Sequence, residues 1–166
     1  MTVKNALSII KALDLDPREY VIMESAALAA YGLLPWDETD ELKILAVGEA
    51  WKKINEYGLE IVGSVSGDMG AALFGEVGRV YSRWVGSFRD CGKDTYLIGR
   101  GNVIDGLNFA NPADVVRVYL ELNRKKDHKL IERLESLLKE SSKEDKYPSE
   151  LMNELRLVFT EFGFSL

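Results

Sequence analysis

The sequence predicts an α/β fold, a mixed β-sheet flanked by helices with further helices towards the C-terminus. Three observations carry this. Tyr20-Val21-Ile22-Met23 and Leu42-Lys43-Ile44-Leu45-Ala46 are short apolar runs rich in β-formers, separated by a helix-forming stretch, Ala26 to Tyr31, that Gly32 closes. Strand and helix signals alternate as far as Val62, which suits a partly parallel sheet. From Asn111 onward the apolar residues recur at helical spacing.

Taken in order, Val3, Ala6, Leu7, Ile10 and Leu13 fall on one face of an opening helix that Asp14 to Pro17 ends, and this helix is expected to pack on the sheet. Leu33 to Asp40 reads as a loop in which Trp36 either caps the core or stands beside a pocket where a base could stack. Gly48 to Tyr57 is helical in composition, with Ala50, Trp51 and Ile54 on one side and Gly58 as its stop. Leu59 to Val62 returns as a strand. Ser64 to Gly78 matches neither a P-loop nor a dinucleotide fingerprint and reads as a connection holding a short Ala71-Ala72-Leu73-Phe74 segment. Val77 to Val85 suits a strand, and Thr95 to Ile98 with Asn102 to Ile104 is expected to form a hairpin around Gly99-Arg100-Gly101. Arg83, Arg89 and Arg100 are either scattered surface charges or a convergence on an acidic ligand.

Asn111-Pro112-Ala113-Asp114 is a helix start, with a capping side chain, proline at the first helical position and an acid in the first turn. Val115, Val116, Val118, Tyr119 and Leu122 supply its buried side. Asp127 to Lys139 is a second helix with Leu130, Ile131, Leu134 and Leu138 on one stripe. Glu140 to Ser149, with Pro148, reads as a linker. Glu150 to Phe162 forms a last helix, whose stripe of Leu151, Met152, Leu155, Val158, Phe159 and Phe162 must be covered. The cover is either the chain's own domain, a protein partner or a second copy. The expected organisation is a domain over residues 1–139, a linker over 140–149 and a C-terminal helix over 150–166.

Composition narrows the function. The 46% hydrophobic content of the 166 residues excludes a largely disordered chain, and the net charge of −6 argues against strong nucleic-acid binding, which needs clustered cations. No apolar run approaches the ~20 residues that cross a bilayer, and Met1 to Asp16 lacks a signal-peptide layout, so no membrane association is expected. Cys91 and His128 are each the only residue of their type, which excludes an internal disulfide and leaves little for zinc or thiol–imidazole catalysis. The expected compartment is the reducing cytoplasm.

The stretch from Tyr20 to Ala46, YVIMESAALAAYGLLPWDETDELKILA, resembles the opening of the nucleotidyltransferase superfamily that includes DNA polymerase beta, especially small bacterial members akin to abortive-infection toxins. In that family a strand runs into Gly-Ser, then a helix, then a strand carrying Asp-x-Asp. Val103-Ile104-Asp105-Gly106-Leu107, the helix from Asn111 and Arg124-Lys125-Lys126-Asp127 resemble the family's later strand, helix and Arg-x-Lys-Asp element. The likeness covers roughly residues 18 to 138. It implies a nucleotidyltransferase-like sheet, with Ser25 and Lys126 on the phosphates of a nucleotide and an acidic group on Mg²⁺.

The departures from the family's pattern fall on its reacting centre. The family's glycine lets a triphosphate approach the amides of a helix N-terminus, and Glu24 stands there. A carboxylate about 4 Å from a phosphate oxygen costs on the order of 4 kcal/mol near a protein surface. The family's two aspartates, which project from one strand face and hold the metal, are replaced by Glu41 and Lys43. Glu24 is read either as a block paired with Lys43 or as a simple acid in a helix's first turn. Lys43 is an ion-pair partner, an exposed strand charge or a phosphate binder. Asp105 is a turn residue or a late addition to the acidic cluster, and Lys126 an anion contact or part of a solvated helix junction.

The resemblance with these departures implies a nucleotidyltransferase-like fold that has lost metal-dependent transfer and serves as a binding or regulatory module, with no cofactor. The alternative is an active enzyme moving a nucleotide from a nucleoside triphosphate to RNA, protein or a small acceptor. That would take a shifted Mg²⁺ site on Glu41 with Asp40 or Asp105. Adjacent Asp40 and Glu41 point to opposite faces of a regular strand, so only an irregular backbone would bring both to one cation.

Overall fold

In the computed structural model, which describes residues 1–63, 69–82, 94–140 and 146–166, the two apolar runs form the middle of the sheet. Helix α1 (Val3–Ala12) is followed by β1 (Tyr20–Met23), α2 (Glu24–Ala30), β2 (Leu42–Ala46), α3 (Gly48–Asn55) and β3 (Gly58–Gly63). Then come β4 (Met69–Leu73), β5 (Gly78–Tyr81), α4 (Asp94–Gly99), β6 (Asn102–Ile104) and β7 (Leu107–Phe109). Helices α5 (Pro112–Leu122), α6 (His128–Lys139) and α7 (Ser149–Glu161) complete the chain. The chain divides into two compact units, Met1–Asn111 and Pro112–Leu166. This places α5 and α6 with α7, whereas the sequence reading groups them with the sheet.

In the first unit the described strands form one sheet of seven, in the order β3-β4-β5-β2-β1-β7-β6. It is mixed: β1 runs antiparallel to β2 and parallel to β7, and β2 runs parallel to β5. Every residue of β1 and β2 is buried, as continuous apolar runs flanked by strands on both sides require. Helix α1 buries Val3, Ala6, Leu7 and Ile10, the stripe expected of it, and Thr2 caps its start by accepting from the Asn5 amide at 3.2 Å.

Three expectations need correction. The glycine-bearing stretch after Ser64 is not merely a connection, because β4 pairs antiparallel with both β3 and β5. Residues 94–99 form helix α4 rather than a strand. The hairpin partner of β6 is instead β7, across Asp105-Gly106, where φ is 50° and 80°. Positive φ at both central residues is the type I′ geometry that Asp-Gly favours, and it decides the role of Asp105 as a turn residue. Arg83 and Arg89, two of the three arginines weighed for convergence, and Cys91 lie outside the described residues. Arg100 stacks over the Tyr96 ring, 5.6 Å from its centroid.

In the second unit α7 packs on α5 and α6. Leu151, Met152, Leu155, Val158 and Phe159 are buried there, so the stripe that called for a cover has one within the chain, and only Phe162 at its end is exposed. Arg117 Nη1 meets Glu161 Oε2 at 2.7 Å, tying α5 to the end of α7. Leu122, expected on the buried side of α5, is exposed. No helix among the described residues is long and apolar enough to cross a membrane.

Candidate functional site

The antiparallel register of β1 on β2 sets Met23 opposite Lys43, and the parallel register of β2 on β5 sets Lys43 beside Arg79. Side chains two apart on a strand share a face, so Glu41 and Lys43 project together, as do Arg79 and Tyr81. Glu24 follows Met23 directly and begins α2. Strand pairing thus assembles charges from positions 24, 41, 43 and 79 at one end of two central strands.

Their order in space is acid, base, acid, base. Lys43 Nζ lies 2.7 Å from Glu24 Oε2 and 3.8 Å from Glu41 Oε2, while Arg79 Nε donates to Glu41 Oε1 at 3.1 Å. The Glu24 and Lys43 side chains are only 9% and 11% exposed, so this pair sits in a low-dielectric setting where removing either partner is costly. The row as a whole is electrically neutral.

Glu24 also has φ of 54°, the left-handed conformation that glycine adopts freely and other residues adopt at a cost of about 1–2 kcal/mol. The chain passes from strand to helix with no intervening residue, and the tight turn falls on Glu24. A bland first-turn acid would lie on the surface in ordinary helical φ. Glu24 is instead buried, strained and ion-paired.

Burial by itself pulls the Lys43 ammonium below the ordinary lysine range. The charge and hydrogen bond of Glu24, helped by Glu41 and Tyr81, outweigh it and leave the pKa raised. The Tyr81 phenol is also pushed up, first by burial, against the opposing pull of Lys43. In the folded state both groups hold their protons more tightly than in the unfolded chain. Their contribution to stability is therefore complete below the ordinary values near pH 10 and is lost as pH rises through the folded ones. Circular dichroism between pH 8 and 11.5 is expected to show stability level to about pH 9.5 and falling above it, with a shallower fall in Lys43→Met.

The remaining predicted residues are placed as follows. Ser25 is the half-buried second residue of α2, next to the pair. Asp40 is exposed, just ahead of β2. Asp105 lies at the opposite end of the sheet, since β7 runs parallel to β1 with Phe109 beside Ile22, and its carboxylate meets Lys11 Nζ at 2.9 Å. Lys126 is exposed on a single 3₁₀ turn of the helical unit, where neighbouring Arg124 Nε holds the buried Asp127 at 2.6 Å. His128 Nε2 lies 3.0 Å from Asn123 Oδ1 at the surface. No protein-family model, curated protein or solved structure matches the chain.

The donor set does not fit Mg²⁺. Glu24 and Glu41 are engaged by Lys43 and Arg79, Asp105 is remote, and no group of three or more acidic, histidine or cysteine side chains among the described residues could hold a metal ion. A phosphate arriving at Lys43 must displace the Glu24 carboxylate first. Sequence reasoning missed Arg79 and Tyr81. Their spacing repeats that of Glu41 and Lys43, but the parallel pairing that brings β5 beside β2 has no local sequence signal.

Proposed function

We propose that this chain is a nucleotidyltransferase-like protein in which metal-dependent transfer has been replaced by an internal ion pair, leaving a binding or regulatory module. The observation that supports this reading is Glu24, in a glycine-type conformation and 2.7 Å from Lys43. In the family resembled, those two positions would serve the triphosphate and the cation. Here each neutralises the other, and Arg79 neutralises the acid that is left.

Titration of the protein with ATP, GTP, CTP and UTP, with and without Mg²⁺, tests the proposal. Magnesium is expected to confer no binding. Magnesium-dependent binding abolished by Glu41→Ala would restore the enzyme reading. The companion variant is Glu24→Gly with Lys43→Asp, which returns a flexible residue and a second acid to the site. It is expected to bind Mg²⁺ at least about tenfold more tightly than the parent, since an opposed charge is exchanged for an attracting one. Unchanged affinity in a folded double variant removes the assignment of the site.

A further inference from the structure

A second feature of the sheet unit is a cleft of about 570 Å³ bounded by α1, the end of α2, the Trp36 turn and the β6–β7 hairpin. It is separate from the charge row. Phe109 is in register with Ile22 and Lys43 with Met23; Ile22 and Met23 are consecutive in β1, so Phe109 and Lys43 project from opposite faces of the sheet.

The lining is two-sided. Leu7, Trp36 and Phe109 make an apolar wall, with Trp36 and Phe109 edge to face at 6.3 Å between centroids, so the indole is held by packing yet is not fully buried. Lys4 and Lys11 stand on the α1 side, with Asp105 as the acid among the lining residues. One positive charge is therefore in excess here, in a chain whose net charge is −6. The Lys11–Asp105 bridge is 48% and 87% exposed, and such bridges hold their partners weakly. The Lys11 ammonium can turn to a ligand at little cost.

We propose that this cleft binds a small aromatic anion, a planar ring carrying a phosphate or carboxylate, with the ring against Trp36 and the anionic group between Lys4 and Lys11. The volume lies within the range of about 300–1,000 Å³ usual for small-molecule sites, and an apolar wall with a few convergent polar groups is their usual construction. This proposal is independent of the one above, because its residues and its face of the sheet are different.

The test is tryptophan fluorescence of the full chain titrated with phenyl phosphate and with benzoate, using inorganic phosphate and benzyl alcohol as half-ligands. Saturable quenching is expected with one or both aromatic anions at a dissociation constant on the order of 1 mM or below, and weaker binding of both half-ligands. Trp36→Phe should lose the signal change. Lys4→Met and Lys11→Met should each weaken binding by about threefold, the scale of an exposed ion pair. The decisive variant is Asp105→Asn, which keeps a residue suited to the positive-φ turn and frees Lys11, so binding should tighten by about threefold. Absence of saturable binding, equal binding of either half-ligand, or unchanged or weaker binding in Asp105→Asn overturns the proposal.

Discussion

Replacing Lys43 with methionine is expected to destabilise the sheet unit by about 3–5 kcal/mol, far beyond what a lysine on an open strand would cost. The apolar stem of lysine is replaced almost atom for atom, so the loss is that of the ammonium. Glu24 and Glu41 both face that ammonium, at 2.7 and 3.8 Å, and without it two carboxylates share a poorly hydrated corner in which Arg79 is paired with Glu41. Glu24→Gly combined with Lys43→Met should recover most of the loss, because glycine adopts φ near 54° without strain and the buried acid is gone. Hydrogen exchange of the β1 and β2 amides reads this in the sheet unit by itself. A single-variant loss below about 1 kcal/mol would mean that the pair is solvated and blocks nothing.

Asn108→Ala is expected to cost about 3 kcal/mol, the second largest effect. Asn108 is 3% exposed in β7, and its Nδ2 donates to the carbonyl oxygens of Tyr20 at 2.8 Å, Pro17 at 3.0 Å and Ile98 at 3.3 Å. Its own amide donates to the Tyr20 hydroxyl at 3.0 Å. One side chain thus fastens the start of β1, the approach to it and the end of α4, and alanine removes a donor from all three carbonyls, of which that of Ile98 keeps the Gly101 amide at 3.2 Å. Asn108→Asp should be at least as damaging despite its shape, since it sets an acceptor against acceptors. Chemical denaturation of the two variants checks the order, and a loss under about 1 kcal/mol in Asn108→Ala would show that water replaces the amide.

What could be read from the sequence follows the range over which each signal acts. The bounds of β1 and β2, the stripe of α1 and the Asn111-Pro112 start of α5 are local patterns of apolar spacing and capping, and the structure has them where expected. The Glu24–Lys43 contact was one of the readings that the resemblance left open, beside a first-turn acid and an exposed strand charge, and the two side chains do meet at 2.7 Å. The meander of β3, β4 and β5 was not, since the small residues of Met69–Leu73 carry little strand propensity and owe their conformation to strands on either side. Thr95 to Ile98 misled for the opposite reason: a short apolar run fits strand or helix equally, and the Asp-Gly turn nearby was the better guide to the hairpin. Asn108 gave no signal at all, being a polar residue whose three acceptors belong to distant segments.

The strand order also bears on how the molecule is made. Ile22 lies beside Phe109, so β1, which is synthesised before β7, has an open flank until the chain has been made through β7. Closing so long a loop adds little to the equilibrium free energy but slows the search for the native pairing. In the interval an uncovered, wholly apolar strand is exposed to other nascent chains. Truncations that end before β7 should therefore appear as aggregates rather than as smaller soluble domains.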